Sequence, residues 1–419
     1  MQTTAVRLHG AYKMTLDRFE LPEITENEVL LKVHSDSLCT STYKAYKQGE
    51  AHKRVPDNVA ENPVMVGHEF CAEILEVGSN LTDKWSVGDL VLIEAALRLE
   101  TGYDPGYSYP YIGGAATYAI VPEIVLERGC LLPYKGNGYY KASLVEPIAC
   151  CLRGYKGMYH IDQDTYDRIE GAKRGGKVAI LGGAGPMGLA TAALAGSYAG
   201  ASMCAVVDVS EERLKLAERR FTKQASMKNG CELHYVNTSG ADDPAAMLRE
   251  LAEGGFDDVF VMVPVPALFT LAEEICAFDG CINFFAGPSD RGLMGSLNIY
   301  RVHYDSIHVV GTGGSTPADM MDVVKLIEED KIDPAIMVSH VLGLNDYVDT
   351  VAAMEKPGGA KKLCYNHIDL PIFEVDSLPE LGKTDPVLAE LAKIVASHGG
   401  LWCVEAEQYL LANAKPIEG

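Results

Sequence analysis

The sequence predicts an α/β chain in two parts, a β-rich domain followed by a doubly wound parallel-sheet domain, and three observations predict it. Its 419 residues exceed what one ordinary hydrophobic core holds. From Gln2 to about Glu146 the pattern is short apolar runs punctuated by Gly and Pro. From about Lys177 it changes to strand, helix, strand, helix, which implies a parallel sheet covered by helices on both faces.

Bulk properties narrow the classes of function. Hydrophobic residues make up 47% of the chain and charged residues 22%, the balance of a folded globular protein. A formal net charge of -22 argues against a nucleic acid or an anionic membrane as partner, and any phosphate-bearing ligand needs locally focused cations. The 11 cysteines are odd in number and scattered, and Met1 to Gly10 is polar and mixed, so a reducing cytoplasm and no signal peptide are expected. No charged residue occurs between Lys177 and Asp208, but Gly182, Gly183, Gly185, Pro186, Gly188, Gly196 and Gly200 argue against a membrane span there.

Taken in order, strands are expected at Val29–Val33, Phe70–Val77, Leu90–Ile93 and Thr117–Val121, separated by polar turns such as Ser86-Val87-Gly88-Asp89. Strands at Val178–Leu181, Cys204–Val207, Val259–Val263 and Cys281–Phe285 then alternate with helices at Leu189–Tyr198, Glu211–Arg220 and Leu268–Phe278. After His308–Gly311 the chain passes Gly313, Gly314 and Pro317 into another helical segment. It returns to a strand at Lys362–Tyr365, where it rejoins the first domain. The expected division is residues 1–150 with 316–419, and residues 151–315. A C-terminal helical extension closes the chain. Asp385 caps a helix, Pro386 opens it, Val387, Leu388, Leu391, Ile394 and Val395 share one face, and Gly399 and Gly400 end it. The apolar side of a second short helix, around Trp402–Leu411, covers either its own core or a neighbouring subunit.

Gly183-Ala184-Gly185-Pro186-Met187-Gly188 fits G-x-G-x-x-G between a strand and an apolar helix, the context that gives this motif weight. Gly183 permits the tight turn, Gly185 lets backbone approach a pyrophosphate, and Gly188 lets helix pack on strand. The ligand's negative charge then sits at a helix N-terminus. Asp208 ends the next strand, where a carboxylate accepts hydrogen bonds from ribose hydroxyls. This Rossmann signature favours NAD(H), while Arg213 partly offsets the repulsion of a 2′-phosphate and leaves NADP(H) open.

Three further segments hold metal-ligand types: Cys39 in Leu38-Cys39-Thr40-Ser41-Thr42, His68 in Gly67-His68-Glu69, and Glu146 in Val145-Glu146-Pro147. Each alone is more often packing or surface than ligand. In this order, ahead of the dinucleotide motif, the set resembles the zinc-containing medium-chain alcohol and polyol dehydrogenases. The resemblance covers most of the chain to about Tyr365. It implies a GroES-like catalytic domain joined to the Rossmann domain, in a homodimer or homotetramer.

It also implies a catalytic zinc held by Cys39, His68 and Glu146, with Glu69 as an adjacent carboxylate that ligates in some states. Ser41 stands where the family relays the substrate proton. The next relay position, usually histidine, is Lys44, which relays through the ribose, holds an anionic substrate, or is a solvated surface lysine. Cys150 is placed in the lining of the nicotinamide pocket, and Ala286 and Gly287 join Pro186 and Met187 as cofactor contacts. Many relatives carry a four-cysteine structural zinc lobe after the Leu90–Ile93 strand. Between Asp89 and Val121 this chain has no cysteine but Gly102-Tyr103-Asp104-Pro105-Gly106-Tyr107-Ser108-Tyr109, so one zinc and no structural zinc are expected.

One branch, the L-sorbose 1-phosphate reductases, is resembled most, in His52-Lys53-Arg54-Val55-Pro56, Asn283-Phe284-Phe285-Ala286-Gly287-Pro288 and Val302-His303-Tyr304. That resemblance implies reduction of L-sorbose 1-phosphate to D-glucitol 6-phosphate. Lys44, Lys53, Arg54, Arg301 and His303 are candidate phosphate partners, and spacing does not choose among them. Dehydrogenation of an unphosphorylated polyol is the alternative within the enzyme class, and a non-catalytic NAD(H)-binding sensor is the alternative outside it.

Overall fold

Buried residues crowd one strand, Val29–Ser37, and the first half of the fold is built around it. It pairs antiparallel with Phe70–Val77, Tyr118–Val121 and Lys361–Tyr365 in an eight-stranded sheet. Leu31, Val33, Phe70, Ile74, Val91, Ile93, Ala119 and Val121 fill one core of this sheet. Leu8, Val64, Tyr107, Leu342, Tyr347 and Cys364 fill another. This computed structural model describes residues 1–355 and 360–417, and the chain forms two compact units.

The first unit comprises Met1–Glu146, Thr316–Val324 and Val338–Gly419, and the second Pro147–Ser315 and Lys325–Met337. Sequence reading carries residues 316–419 wholly with the first domain. The structure gives Lys325–Met337 to the second, because Ala335, Ile336 and Met337 are buried there beneath the helix Pro186–Ser197.

Sequence reading also stops the central strand at Val33, whereas it runs on through Ser35, Asp36 and Ser37. These polar residues are fully buried and hydrogen-bonded, Ser35 Oγ to Ser143 Oγ at 2.6 Å and Asp36 Oδ2 from Tyr347 Oη at 2.8 Å. Burial of polar groups is tolerated where partners exist. The expected helix through Phe278 ends at Ile275, since Cys276 is buried and opens a strand, Cys276–Phe284, that pairs with Phe256.

The second unit is a six-stranded parallel sheet ordered Glu232–Asn237, Met203–Asp208, Lys177–Leu181, Phe256–Val261, Cys276–Phe284, His308–Gly311. The order reverses beside Lys177–Leu181, which is where such sheets open a ligand crevice at their carboxyl ends. The helix Pro186–Ser197 starts there. A Cβ on Gly188 would stand 2.0 Å from the Gly183 carbonyl oxygen, so only glycine lets this helix pack so closely on its strand.

The C-terminal helices are Pro386–Ser397 and Val404–Asn413. Asp385 caps the first, accepting from the Val387 and Leu388 amides. The second buries Ala406, Glu407 and Leu410 in its own chain. Glu407 accepts the Tyr139 and Tyr140 amides at 2.7 and 2.8 Å and the Tyr365 hydroxyl at 2.7 Å, while Trp402 Nε1 donates to that hydroxyl at 2.8 Å. The extension therefore grips the start of the helix Tyr139–Ser143, which leads directly into Glu146. Replacing Glu407 by Gln removes one acceptor oxygen from this buried group. A loss of about 1–3 kcal/mol in urea unfolding, followed by tryptophan fluorescence, is expected; a change inside the measurement error would mean the extension is held by apolar packing alone.

Candidate active site

Antiparallel register brings distant residues to one end of the sheet. The strand Val29–Ser37 leaves the sheet where Phe70–Val77 enters it, with Asp36 opposite Phe70, and the Ser37 amide bonds the Glu69 carbonyl at 2.9 Å. On its other side Leu363 faces Ser37, and the Leu38 amide bonds the Lys362 carbonyl at 2.9 Å. Cys39, His68, Glu69 and Lys361 lie just beyond these paired positions and so converge.

One donor atom each from Cys39, His68 and Glu69 lies within 4.8 Å of the other two. Thiol sulfur, imidazole nitrogen and carboxylate oxygen form a set suited to zinc. Burial pushes His68 down to about 4, which leaves a neutral ring whose Nε2 faces Ser41 Oγ and Tyr107 Oη, each at 3.3 Å. His68 Nδ1 is buried with no hydrogen-bonding partner among the described residues. Desolvation, then the negative charge of Glu69, pushes the Cys39 thiol up to about 11. A cation seated among the donors reverses that balance by stabilising the thiolate. The residues present therefore fit a divalent metal.

Glu69 is clamped. The Lys361 ammonium donates to both of its carboxylate oxygens, and the Ser37 hydroxyl donates to one of them. Burial alone would pull Lys361 down, but Glu69, with Cys39 and Glu146 nearby, holds it above the usual lysine range. Beneath them Asp36 accepts the Glu69 amide at 3.2 Å, and burial raises its carboxyl well above the usual range.

Ser41, at the head of the helix Thr40–Gln48, donates to Cys39 Sγ at 2.9 Å and accepts from Tyr107 Oη at 2.6 Å. Tyr107 reaches the site because its loop crosses the Gly-His-Glu segment closely. Gly106 has φ 76°, and a Cβ there would stand 2.1 Å from the Gly67 carbonyl oxygen. Burial holds the Tyr107 phenol well above its usual range.

The other residues singled out by sequence fall as follows. Glu146 is half-buried in the first turn of Val145–Gly157; it stands outside the Cys39, His68, Glu69 trio but near enough for its charge to raise the Cys39 thiol. Ser41 makes its bonds to Cys39, His68 and Tyr107, and the charge of Lys44, one turn along the helix, bears on His52. In the second unit Gly185 caps the helix that Pro186 opens, ahead of Met187 and Gly188. Asp208 Oδ2 accepts the Ala184 amide at 3.3 Å, with Arg213 Nη1 4.0 Å away. Ala286 is buried and Gly287 exposed just past the strand Cys276–Phe284, and Cys150 is half-buried on Val145–Gly157.

Arg301 is no free phosphate partner, since its guanidinium is bound to Glu273, Asp305 and the Cys276 carbonyl. His303 is exposed on the short helix Ile299–Tyr304. Sequence reading missed Lys361, which looks like a solvated strand end, and Tyr107, one of several tyrosines in a glycine-rich loop. Among the described residues the other group of metal-type side chains is His398, Cys403 and Glu405, at a helix N-terminus whose dipole opposes a cation. No helix among the described residues is long and apolar enough to cross a membrane.

Comparison with known proteins adds to this geometry. Residues 25–128 match the alcohol dehydrogenase GroES-like domain and residues 186–329 the zinc-binding dehydrogenase family. The chain is 44% identical to the uncharacterized protein YggP of Escherichia coli (strain K12), over 99% of this chain and 98% of that one. It is 42% identical to mannitol-1-phosphate 5-dehydrogenase of Aliivibrio fischeri, over 98% and 97%. It is 40% identical to L-sorbose 1-phosphate reductase of Klebsiella pneumoniae, over 99% and 98%. Among solved structures, 2R,3R-butanediol dehydrogenase from Bacillus subtilis shares the fold, with a TM-score of 0.70 over 87% of this chain and 99% of that one at 23% identity.

The clamp on Glu69 yields a direct test. Lys361→Met leaves a buried carboxylate without its counter-charge, and a loss of about 3–5 kcal/mol in unfolding free energy is expected from such a change. Lys361→Met with wild-type stability would show that the ammonium is not what holds Glu69 in place.

Proposed function

The chain belongs to the zinc-containing medium-chain alcohol and polyol dehydrogenases, and from that premise we propose that it reduces a phosphorylated ketose with NADH or NADPH, L-sorbose 1-phosphate to D-glucitol 6-phosphate being the first reading. The observation that carries it is that the Cys39 thiol and the His68 imidazole, from distant stretches of chain, converge within 4.8 Å of each other with the Glu69 carboxylate beside them. Bound there, a single zinc supplies Lewis acidity at the substrate oxygen while the dinucleotide exchanges the hydride.

Cys39, His68 and Glu146 hold the metal in this proposal. One thiolate, one neutral imidazole and one carboxylate balance a divalent charge and leave a position open. Glu69 stays the adjacent carboxylate because Lys361 and Ser37 already occupy its oxygens. Ser41 relays the proton: its hydroxyl proton passes to the product oxygen in reduction while its oxygen takes one up from water, and the order reverses in oxidation. Tyr107, kept protonated by burial, always presents its donor to Ser41 and fixes that hydroxyl's direction.

In the second unit Gly183, Gly185, Pro186, Met187 and Gly188 receive the pyrophosphate at a helix N-terminus. Asp208 takes the ribose hydroxyls, Arg213 tempers its charge, and Cys150, Ala286 and Gly287 line the nicotinamide. The Asp208 carboxylate supports NADH as the preferred cofactor. No second, structural zinc belongs to this reading. Exposed Met294, Ile299, Tyr300 and Tyr304 support assembly of two or four copies through an apolar surface.

The names of two relatives bracket the substrate. In L-sorbose 1-phosphate the carbonyl lies next to the phosphorylated carbon, whereas oxidising mannitol 1-phosphate at C5 leaves the phosphate towards the opposite end. A panel of both phosphorylated ketoses and their unphosphorylated forms tests this reading, and equal rates with and without phosphate would remove it.

Metal analysis of the purified protein should find a single zinc per chain, and Cys39→Ala should lose both zinc and turnover while still binding NADH. Zinc retained by that variant would overturn the ligand set. Tyr107→Phe should keep its zinc and lose kcat by roughly 10²-fold, the scale of a misaimed reacting group; full kcat would show that Tyr107 does not aim the Ser41 hydroxyl.

A further inference from the structure

In a chain with a net charge of -22, three cations gather around one buried imidazole beside the donor trio. The His52 ring stacks on Tyr107, with centroids 5.8 Å apart and planes 11° from parallel. Burial and then the charges of Arg54, Lys53 and Lys44 push His52 down to about 4, so all three cations bear on this spot. Asp104 offsets part of this charge through Arg54, and an anion seated among the three would offset the rest.

The aim of Arg54 is fixed by its contacts. Its guanidinium lies over the Tyr107 ring, 5.0 Å from the ring centre, and its Nε donates to Asp104 Oδ2 at 2.6 Å. Asp104 is itself held, accepting the Leu97 amide at 2.9 Å, and Ser108 Oγ donates to the Arg54 carbonyl. These contacts use one edge and one face of the guanidinium. Nη1 and Nη2 make no hydrogen bond among the described residues, and the side chain is 29% exposed. A planar fork with its two terminal nitrogens open suits bidentate binding of a phosphate.

Tyr107 sets the distance. Its hydroxyl is 2.6 Å from Ser41 Oγ and 3.3 Å from His68 Nε2, while its face carries Arg54. The buried ring thus ties the two spots together, and a ligand whose reacting oxygen sits at the trio and whose anionic group reaches past Tyr107 meets Arg54 there.

We propose that Arg54 is the phosphate-binding arm of the site, recognising the monoester of an acyclic sugar phosphate, with Lys44 and Lys53 adding charge around it. This rests on the reading that the enzyme reduces a phosphorylated ketose.

The test compares kcat/KM for L-sorbose 1-phosphate with that for L-sorbose, and for D-fructose 6-phosphate with that for D-fructose. Wild type, Arg54→Gln and Arg54→Lys are assayed, with inorganic phosphate as a competing anion. In Arg54→Gln the preference for the phosphorylated member should fall roughly 100-fold, mainly through KM, as the loss of charge-assisted hydrogen bonds implies. Arg54→Lys should fall less, and inhibition by inorganic phosphate should weaken in the same order. An unchanged preference, or equal losses on both members of a pair, would overturn the assignment, the second result marking Arg54 as a support for Tyr107. Should Arg54→Gln fail to fold by circular dichroism, the same ratio in Arg54→Lys decides. A wild type that ignores the phosphate on its ketose but is inhibited by inorganic phosphate through Arg54 would retain the arm and sink only the substrate reading. A wild type indifferent to both would sink the two together.

Discussion

The carboxylate of Glu69 is buried beside a thiol and an imidazole, in a place where an unpaired charge costs several kcal/mol. Lys361 reaches it from the other side of the central strand and Ser37 from the strand itself, so the charge is neutralised and its lone pairs are occupied. Everything else in the first unit is compatible with that clamp. The strand must run on through polar Ser35, Asp36 and Ser37, the Gly67 and Gly106 backbones must pass in contact, and Tyr107 arrives over His68 as the consequence.

With Glu69 committed in this way, a second carboxylate, Glu146, still bears on the thiol through its charge. Its position is set from a distance. The C-terminal extension holds the amides of Tyr139 and Tyr140 through Glu407, one short helix ahead of Glu146 in the chain. Charge is arranged just as locally. The bulk of the protein is strongly acidic, yet Arg54, Lys53 and Lys44 make one wall beside the donor trio basic, and a buried lysine stands behind the trio. Field at a site is decided by neighbours within a few ångströms and not by net charge.

What sequence alone conveys follows the range of the physics involved. The glycine loop of Gly183, Gly185 and Gly188 is legible because turn, helix start and packing constraint all lie within a few residues. The alternation of strand and helix through the second unit is legible for the same reason. Cys39 and His68, which the fold brings together with Glu69, become legible only through their order along the chain, the same order that draws Glu146 into the expected set. Lys361 does not, since its partner is 292 residues away and nothing local distinguishes it from a solvated lysine. Tyr107 meets Ser41 across 66 residues, inside a loop whose several tyrosines look alike. Arg54 stands among five candidate cations by sequence; what separates it is the bond to Asp104 and the ring beneath it, which only the folded chain supplies.

The central claim is that one sulfur, one imidazole and one carboxylate grip a divalent ion at the end of this sheet. X-ray absorption at the zinc edge of the metal-loaded protein tests it without reference to substrate. The account predicts a single sulfur neighbour at about 2.3 Å with the remaining neighbours nitrogen or oxygen at roughly 2.0–2.2 Å. A shell of several sulfurs, or one with none, would contradict it.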